Sequence, residues 1–165
     1  MTTISPVLIG IDPGLKGAIA IFAHGTPQVH DMPRTPLGLD LPNLYSILRR
    51  AIDGPTVAAL EYPERAATAA RPSDVATFWE QVGAIEGILT ALGIKYMRVT
   101  PRAWKDHFNC HARTPAEAKL KSTLKAKTLY PEILFPRKDG GRADAILIGL
   151  YAKGYADYLD KSEAR

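Results

Sequence analysis

The sequence predicts an α/β protein with a mixed five-stranded sheet, in which an antiparallel meander is followed by parallel strands and helices flank the sheet. Two observations lead to this fold class. Three short apolar runs near the N-terminus are separated by short turns, which is typical of strands that pair antiparallel. Farther along, two more apolar runs alternate with segments of helical periodicity, which is typical of βαβ units with parallel strands.

Five strands are indicated by apolar runs that turn residues bound. They are predicted over residues 7–11, 17–23, 28–32, 56–60 and 94–99. The turns Asp12-Pro13-Gly14 and His24-Gly25 separate the first three strands. Glu61 directly follows the fourth strand, so this strand is predicted to end at an acid, as the first one does at Asp12.

Five helices are indicated by apolar residues spaced three or four apart and by capping signals. They are predicted over residues 41–52, 74–92, a short segment after Thr100-Pro101, residues 114–130 and residues 142–159. Thr114, Pro115 and Glu117 form the capping-box pattern that begins the fourth helix. The proline-rich segment before the first helix is predicted as a connection, and residues 62–73 as a surface loop.

Length and composition predict one globular domain over residues 1–165, because 46% of the residues are hydrophobic and 23% are charged. No apolar run approaches the ~20 residues that cross a bilayer, so no membrane association is expected. The N-terminal residues carry no basic segment and their first apolar stretch is interrupted, so no signal peptide is expected. The single cysteine, Cys110, cannot form an internal disulfide, which favours the reducing cytoplasm.

The net charge of +4 is unevenly distributed along the chain. Between Arg98 and Arg142 there are 11 basic and 4 acidic residues, whereas the remainder of the chain is slightly acidic. A basic half of this kind favours a polyanionic partner such as nucleic acid. A solvated lysine-rich helix is the alternative explanation.

Three carboxylates occupy positions where the pattern predicts a strand end or a helix start. Asp12 closes the first strand, Glu61 closes the fourth, and Asp144 lies in the first turn of the last helix. An acid that ends an apolar strand is commonly only a turn residue. Taken together, the three indicate a magnesium site, because hard divalent cations prefer carboxylate oxygens and two such ions can promote phosphodiester hydrolysis.

Four motifs resemble those of the RuvC-type Holliday junction resolvases, a branch of the RNase H-like superfamily. They are IGIDPG at residues 9–14, Leu60-Glu61, QVGAIEG at residues 81–87 and RADAILIGL at residues 142–150. Each motif is weak when taken alone, but their order along nearly the whole chain matches that family. The resemblance implies an RNase H-like nuclease domain and is compatible with a phage or prophage origin.

The resemblance also implies an activity and a set of partners. Members of the family are homodimers that bind a four-way DNA junction and nick two strands symmetrically with Mg²⁺. Asp12, Glu61 and Asp144 would then bind metal and catalyse, with two Mg²⁺ ions per site and Mn²⁺ as a substitute. Lys105 and Lys119 match family lysines that contact DNA.

Further lysines can supply phosphate contacts whether or not the resemblance holds. Lys121, Lys125 and Lys127 lie on the same predicted helix as Lys119. Lys121 and Lys125 have an alternative role as an exposed pair spaced four residues apart on the helix.

Two departures from the family pattern bear on activity. The family has a fourth carboxylate one helical turn before the last aspartate, and this chain has Gly141 at that position. Asp139, in the preceding loop, is therefore the candidate to replace it in catalysis and metal binding. In bacterial members the loop after the second acid carries an aromatic residue that wedges into the junction, whereas the loop here begins Tyr62-Pro63. Tyr62, another residue or none would take that role.

Two other functions remain open on sequence alone. The missing acid at position 141 motivates a non-catalytic junction-binding module on the same fold. An RNase H-like nuclease that acts on RNA–DNA hybrids or flaps is the other. The Gly83-x-x-x-Gly87 pattern fits either a dimer interface or packing within the domain.

Overall fold

The computed structural model describes residues 5–14, 16–23, 25–63, 72–136 and 141–163. Its strands and helices follow one another as β1 (Val7–Asp12), β2 (Ala18–Phe22), β3 (Gln28–Asp31), β4 (Arg34–Thr35), β5 (Gly38–Leu39), α1 (Leu41–Ala51), β6 (Thr56–Glu61), α2 (Pro72–Ala91), β7 (Lys95–Val99), α3 (Pro101–His107), α4 (Pro115–Leu129) and α5 (Gly141–Glu163). The five predicted strands and five predicted helices are present in the predicted order, with two unpredicted short strands, β4 and β5, between β3 and α1.

Five strands form one mixed sheet in the order β3-β2-β1-β6-β7. Strand β1 pairs antiparallel with β2 and parallel with β6, and β7 extends the parallel half. The register between β1 and β6 places Ile11 opposite Leu60, so the residues that follow them, Asp12 and Glu61, end neighbouring strands at the same edge of the sheet. The predicted mixed fold class is therefore confirmed, and its central strand pair carries two of the candidate acids.

A small second sheet lies in the proline-rich segment, which the sequence predicts only as a connection. Strands β4 and β5 pair antiparallel through Arg34 with Leu39 and Thr35 with Gly38. Gly38 has a φ of 130°, a conformation that side chains other than glycine rarely adopt. Strands of two residues are too short to show the alternation on which sequence prediction depends.

Helices cover both faces of the main sheet. Helices α1 and α2 bury apolar residues such as Leu48 and Ile85 against one face, where Ile9 and Leu60 also lie. Helices α3 and α5 bury Trp104 and Ile148 with residues of the opposite face. None of the described helices is long and apolar enough to cross a membrane.

Two glycines bring α5 close to the central strand. A Cβ added to Gly10 of β1 would lie 2.0 Å from the carbonyl oxygen of Ala145, and one added to Gly149 would lie 2.4 Å from the Phe22 ring. Because any larger side chain would separate the two elements, these glycines set how closely the helix approaches the strand. This approach brings the first turn of α5, and with it Asp144, to the end of β1.

Side-chain caps begin the two helices that carry the candidate lysines. The Thr100 hydroxyl accepts a hydrogen bond from the backbone N–H of Ala103, at 3.2 Å, and begins α3. The Thr114 hydroxyl accepts from the backbone N–H of Glu117 at the same distance and begins α4. The predicted N-caps are confirmed, and they position Lys105 on α3 and Lys119 on α4.

Candidate active site

Asp12 lies at the end of β1, where the chain turns away from the sheet. Its Oδ1 accepts a hydrogen bond from the backbone N–H of Gly14 at 3.0 Å. The turn is tight, since a Cβ at Gly17 would lie 2.0 Å from the backbone carbonyl oxygen of Asp12. The turn therefore holds one carboxylate oxygen in place and keeps the carboxylate at the edge of the sheet.

Glu61 lies at the end of β6, beside Asp12. Its Oε1 accepts a hydrogen bond from the indole N–H of Trp104, at 3.2 Å, across 43 positions of sequence. Trp104 is fully buried. The contact joins the end of the fourth predicted strand to the short helix α3.

Asp144 lies in the first turn of α5 and is buried, with 6% of its surface exposed. Its Oδ2 receives a 2.6 Å hydrogen bond and ion pair from the Lys119 ammonium of α4. Its other oxygen, Oδ1, is buried and has no hydrogen-bond partner among the described atoms. A buried carboxylate oxygen without a donor or cation is energetically costly, so Asp144 is suited to a further positive ligand.

Burial and mutual repulsion raise the pKa values of two of the three acids. Burial, followed by the charge of Asp144, raises the pKa of Asp12 to about 6. Burial, followed by the charges of Asp12 and Asp144, raises the pKa of Glu61 to about 7. The Gly14 N–H acts in the opposite direction on the pKa of Asp12, and the Trp104 N–H does so on that of Glu61.

The donor set fits a hard divalent cation. Three carboxylates interact at one edge of the sheet, one of their oxygens is buried without a partner, and the acids repel one another in the absence of a cation. No group of three His, Cys, Asp or Glu side chains in the described ranges is already gathered closely enough to hold a metal ion. Asp12, Glu61 and Asp144 would hold the cation. In this structure the Lys119 ammonium forms an ion pair with Asp144.

The four predicted DNA-contacting lysines fall into two groups. Lys119 and Lys105 lie at the acids: Lys119 pairs with Asp144, and the charge of Lys105 lowers the pKa of both Asp12 and Glu61. Lys121 instead donates to the backbone carbonyl of His111 at 2.6 Å, and Lys125 is exposed. The structure thus places two lysines at the candidate site and two on the outer side of α4.

The two departures from the family pattern have different outcomes. A Cβ at Gly141 would lie 2.1 Å from the carbonyl oxygen of Lys16, so the backbone leaves no space for an acidic side chain there. Asp139, the predicted substitute, lies outside the described residues. Position 141 is therefore glycine for a packing reason.

Tyr62 is held against the protein by two neighbours. The Arg98 guanidinium lies 4.4 Å from the centre of the Tyr62 ring, and the Trp79 ring centre lies 4.9 Å away. Arg98 is itself fixed by a two-point ion pair with Glu86, at 2.6 and 2.8 Å. A ring packed in this way is poorly suited to insert between DNA bases.

Trp104 belongs to the site although sequence reasoning assigned it no role there, since a tryptophan is ordinarily a core residue. The residue is indeed buried, but its N–H also contacts a candidate catalytic acid. A buried indole usually hydrogen-bonds, so a partner could have been expected; nothing in the sequence identifies that partner as Glu61.

No family model matches the chain, and no curated protein sequence matches it. Solved structures do match the chain. Its mixed sheet with flanking helices is the RNase H-like fold. In particular, the chain superposes on Thermus thermophilus RuvC with a TM-score of 0.60 at 18% identity, over 92% of this chain and 96% of that one. T. thermophilus RuvC in complex with a Holliday junction substrate gives a TM-score of 0.67 at 18% identity, over 93% and 96%.

A third match is the yeast mitochondrial Holliday junction resolvase Ydc2, with a TM-score of 0.44 and 16% identity over 97% of this chain and 86% of that one. The two RuvC structures, at 18% identity, establish the fold. The sequence-based expectation of an RNase H-like fold of the RuvC type is therefore confirmed.

Proposed function

We propose that the protein is a Mg²⁺-dependent endonuclease that resolves four-way DNA junctions by nicking two strands symmetrically, in recombination or repair. The observation that carries this proposal is the set of three interacting carboxylates, Asp12, Glu61 and Asp144, at one edge of a RuvC-like sheet with two lysines beside them. One of the similar structures is RuvC bound to a Holliday junction substrate, which supports branched DNA as the substrate.

Asp12, Glu61 and Asp144 are the metal ligands in this proposal, with Asp139 as a fourth candidate. When bound, two Mg²⁺ ions, or Mn²⁺ in their place, would activate water and stabilise the charge that develops on the phosphate. Ligand carboxylates must be deprotonated, so the raised pKa values of Asp12 and Glu61 mean that metal binding should strengthen as pH rises through about 6 to 7. Lys119 must also withdraw from Asp144, and the three acids must draw together.

Lysines on two sides of the site supply the contacts to DNA in this proposal. Lys105 and Lys119 are placed to contact the DNA phosphates nearest the acids, and Lys121 and Lys125 contact phosphates farther along the same duplex arm of the junction. Removing one lysine–phosphate contact should reduce the slope of log affinity against log salt by about one unit. This division follows from the positions of the lysines, since Lys105 of α3 and Lys119 of α4 lie at the acids, whereas the other two lie on the outer side of α4.

A homodimer is part of the same proposal, because symmetric nicking needs two sites. The exposed face of α2 is available for it: no described atom lies within 4 Å of a Cβ built on Gly83 or Gly87. Packing of these glycines within the domain, the alternative explanation of their spacing, is not observed among the described residues. The whole of residues 1–165 is proposed to form one nuclease domain that acts in the cytoplasm of a bacterium, or of the host of a phage.

A panel of synthetic substrates tests the proposal against its alternatives. Wild-type protein is incubated with a four-way junction, a flap, an RNA–DNA hybrid and a plain duplex, each with Mg²⁺, Mn²⁺ or EDTA. We expect paired, symmetric nicks in the junction alone, and only with a divalent cation. Faster cleavage of hybrid or flap would instead identify an RNase H-like nuclease, and tight junction binding without product would identify a non-catalytic module.

A further inference from the structure

Trp104 has two contacts that packing alone would not require. The edge of its indole donates to Oε1 of Glu61 at 3.2 Å, and the ammonium of Lys105 lies 5.1 Å from the centre of its ring. One fully buried side chain therefore contacts a candidate metal ligand and a candidate DNA-contacting lysine.

The position of this indole is well defined by its surroundings. The Thr100 cap fixes the start of α3, and the ring packs in the apolar cluster that includes Val99 and Leu147. A ring held on all sides cannot follow a moving carboxylate, so the carboxylate must take its orientation from the ring. Trp104 therefore orients Glu61, which is a different role from that of a buried indole whose N–H merely finds an acceptor.

We infer that Trp104 is a positioning residue that orients Glu61 as a ligand for the divalent cation and holds Lys105 beside it. This inference rests on the proposed function. The indole engages Oε1 of Glu61 and thereby leaves Oε2 as the oxygen that would bind the cation. Hydrogen bonds that orient metal-binding carboxylates typically change metal affinity about 10- to 100-fold when they are removed.

Substitution by phenylalanine separates the hydrogen bond from the packing. Trp104→Phe removes the N–H and retains an aromatic face for Lys105. Trp79→Phe is the matched control, because the chain has two tryptophans and Trp79 packs on the rings of Tyr62 and Phe78. The measured quantity is the dissociation constant for Mn²⁺ alone, obtained by calorimetry without DNA.

We expect Trp104→Phe to weaken Mn²⁺ binding about 10-fold or more, and Trp79→Phe to leave it within about 2-fold of wild type. Equal affinity of Trp104→Phe and wild type would overturn the inference while leaving the proposed function intact. Absence of Mn²⁺ binding by wild type would overturn both. If Trp104→Phe does not fold, benzothienylalanine at position 104, in which sulfur replaces the N–H at nearly the same shape, must show the same weakening.

The indole N–H signals provide a second readout that does not depend on activity. Two tryptophans give two such signals in a ¹H–¹⁵N spectrum, and Trp79→Phe assigns them. Glu61→Gln and Mg²⁺ should each shift the Trp104 signal, whereas the Trp79 signal should stay in place. A Trp104 signal that responds to neither would overturn the inference.

Discussion

Replacement of Glu61 by glutamine should stabilise the metal-free protein near neutral pH. The pKa of this acid is raised from 4.5 to about 7 in the folded state, chiefly by burial and then by the charges of Asp12 and Asp144. Between these two values the folded protein holds a proton that the unfolded chain has released. Stability of the wild type therefore falls as pH rises through this window, and the full penalty is present above pH 7.

The size of the effect follows from the shift. A rise in the pKa of Glu61 from 4.5 to about 7 corresponds to about 3 kcal/mol. The substituted glutamine can still accept from the Trp104 N–H, but its new amide hydrogens cost about 1 kcal/mol if they lack partners. The net gain is about 2 kcal/mol, or a rise in Tm of about 4–8 °C for a chain of this size.

The assay is urea unfolding in EDTA at about pH 5 and about pH 8, with Glu80→Gln, an exposed acid on α2, as the control. Glu61→Gln should be clearly more stable than the wild type at the higher pH and about equally stable at the lower one, where the small penalty on the wild type and the cost of the amide hydrogens cancel. Mg²⁺ should then restore stability to the wild type and not to the variant. The reasoning would be refuted if Glu61→Gln were no more stable than the wild type at about pH 8, or if Glu80→Gln gained as much stability as Glu61→Gln.

Three further substitutions have defined outcomes. Lys119→Met removes the partner of Asp144, so the stability of the metal-free protein, measured by urea unfolding, should fall by ~1–3 kcal/mol. Calorimetry should show tighter Mg²⁺ binding by this variant, because the Lys119 ammonium occupies the place of the cation; weaker binding would contradict that view. Gly141→Asp should lower stability by ~1–3 kcal/mol in thermal unfolding, with no gain in junction cleavage, because its Cβ meets the Lys16 carbonyl. Lys105→Ala should reduce the salt slope of junction binding, measured by fluorescence anisotropy, by about one unit; an unchanged slope would remove Lys105 from the interface.

The parts of the structure that sequence predicted well are those that local patterns determine. Apolar runs located the strands, and the acids predicted to end two of them, Asp12 and Glu61, do lie at the ends of β1 and β6. The Thr114 cap and the position of Asp144 in the first turn of α5 were likewise indicated by local patterns. In each case the signal is a periodicity or a turn residue within a few positions.

The contacts that complete the site are long-range, and local patterns do not encode them. Trp104 and Glu61 are 43 positions apart, and Lys119 and Asp144 are 25 apart. Each pair meets only because α3, α4 and α5 pack at particular distances from the sheet, which side-chain volumes across the whole core determine. The requirement for glycine at position 141 is also long-range, since a side chain there would collide with the backbone carbonyl of Lys16.

The most direct measurement is junction cleavage by wild type and Asp12→Asn, with binding and cleavage measured on the same synthetic four-way junction in Mg²⁺. Asparagine keeps an oxygen that can accept from the Gly14 N–H and removes the charge that a cation needs. We expect paired nicks from the wild type, and from Asp12→Asn undiminished junction binding without nicking. Undiminished cleavage by the variant would contradict the assignment of these three carboxylates as the catalytic metal site.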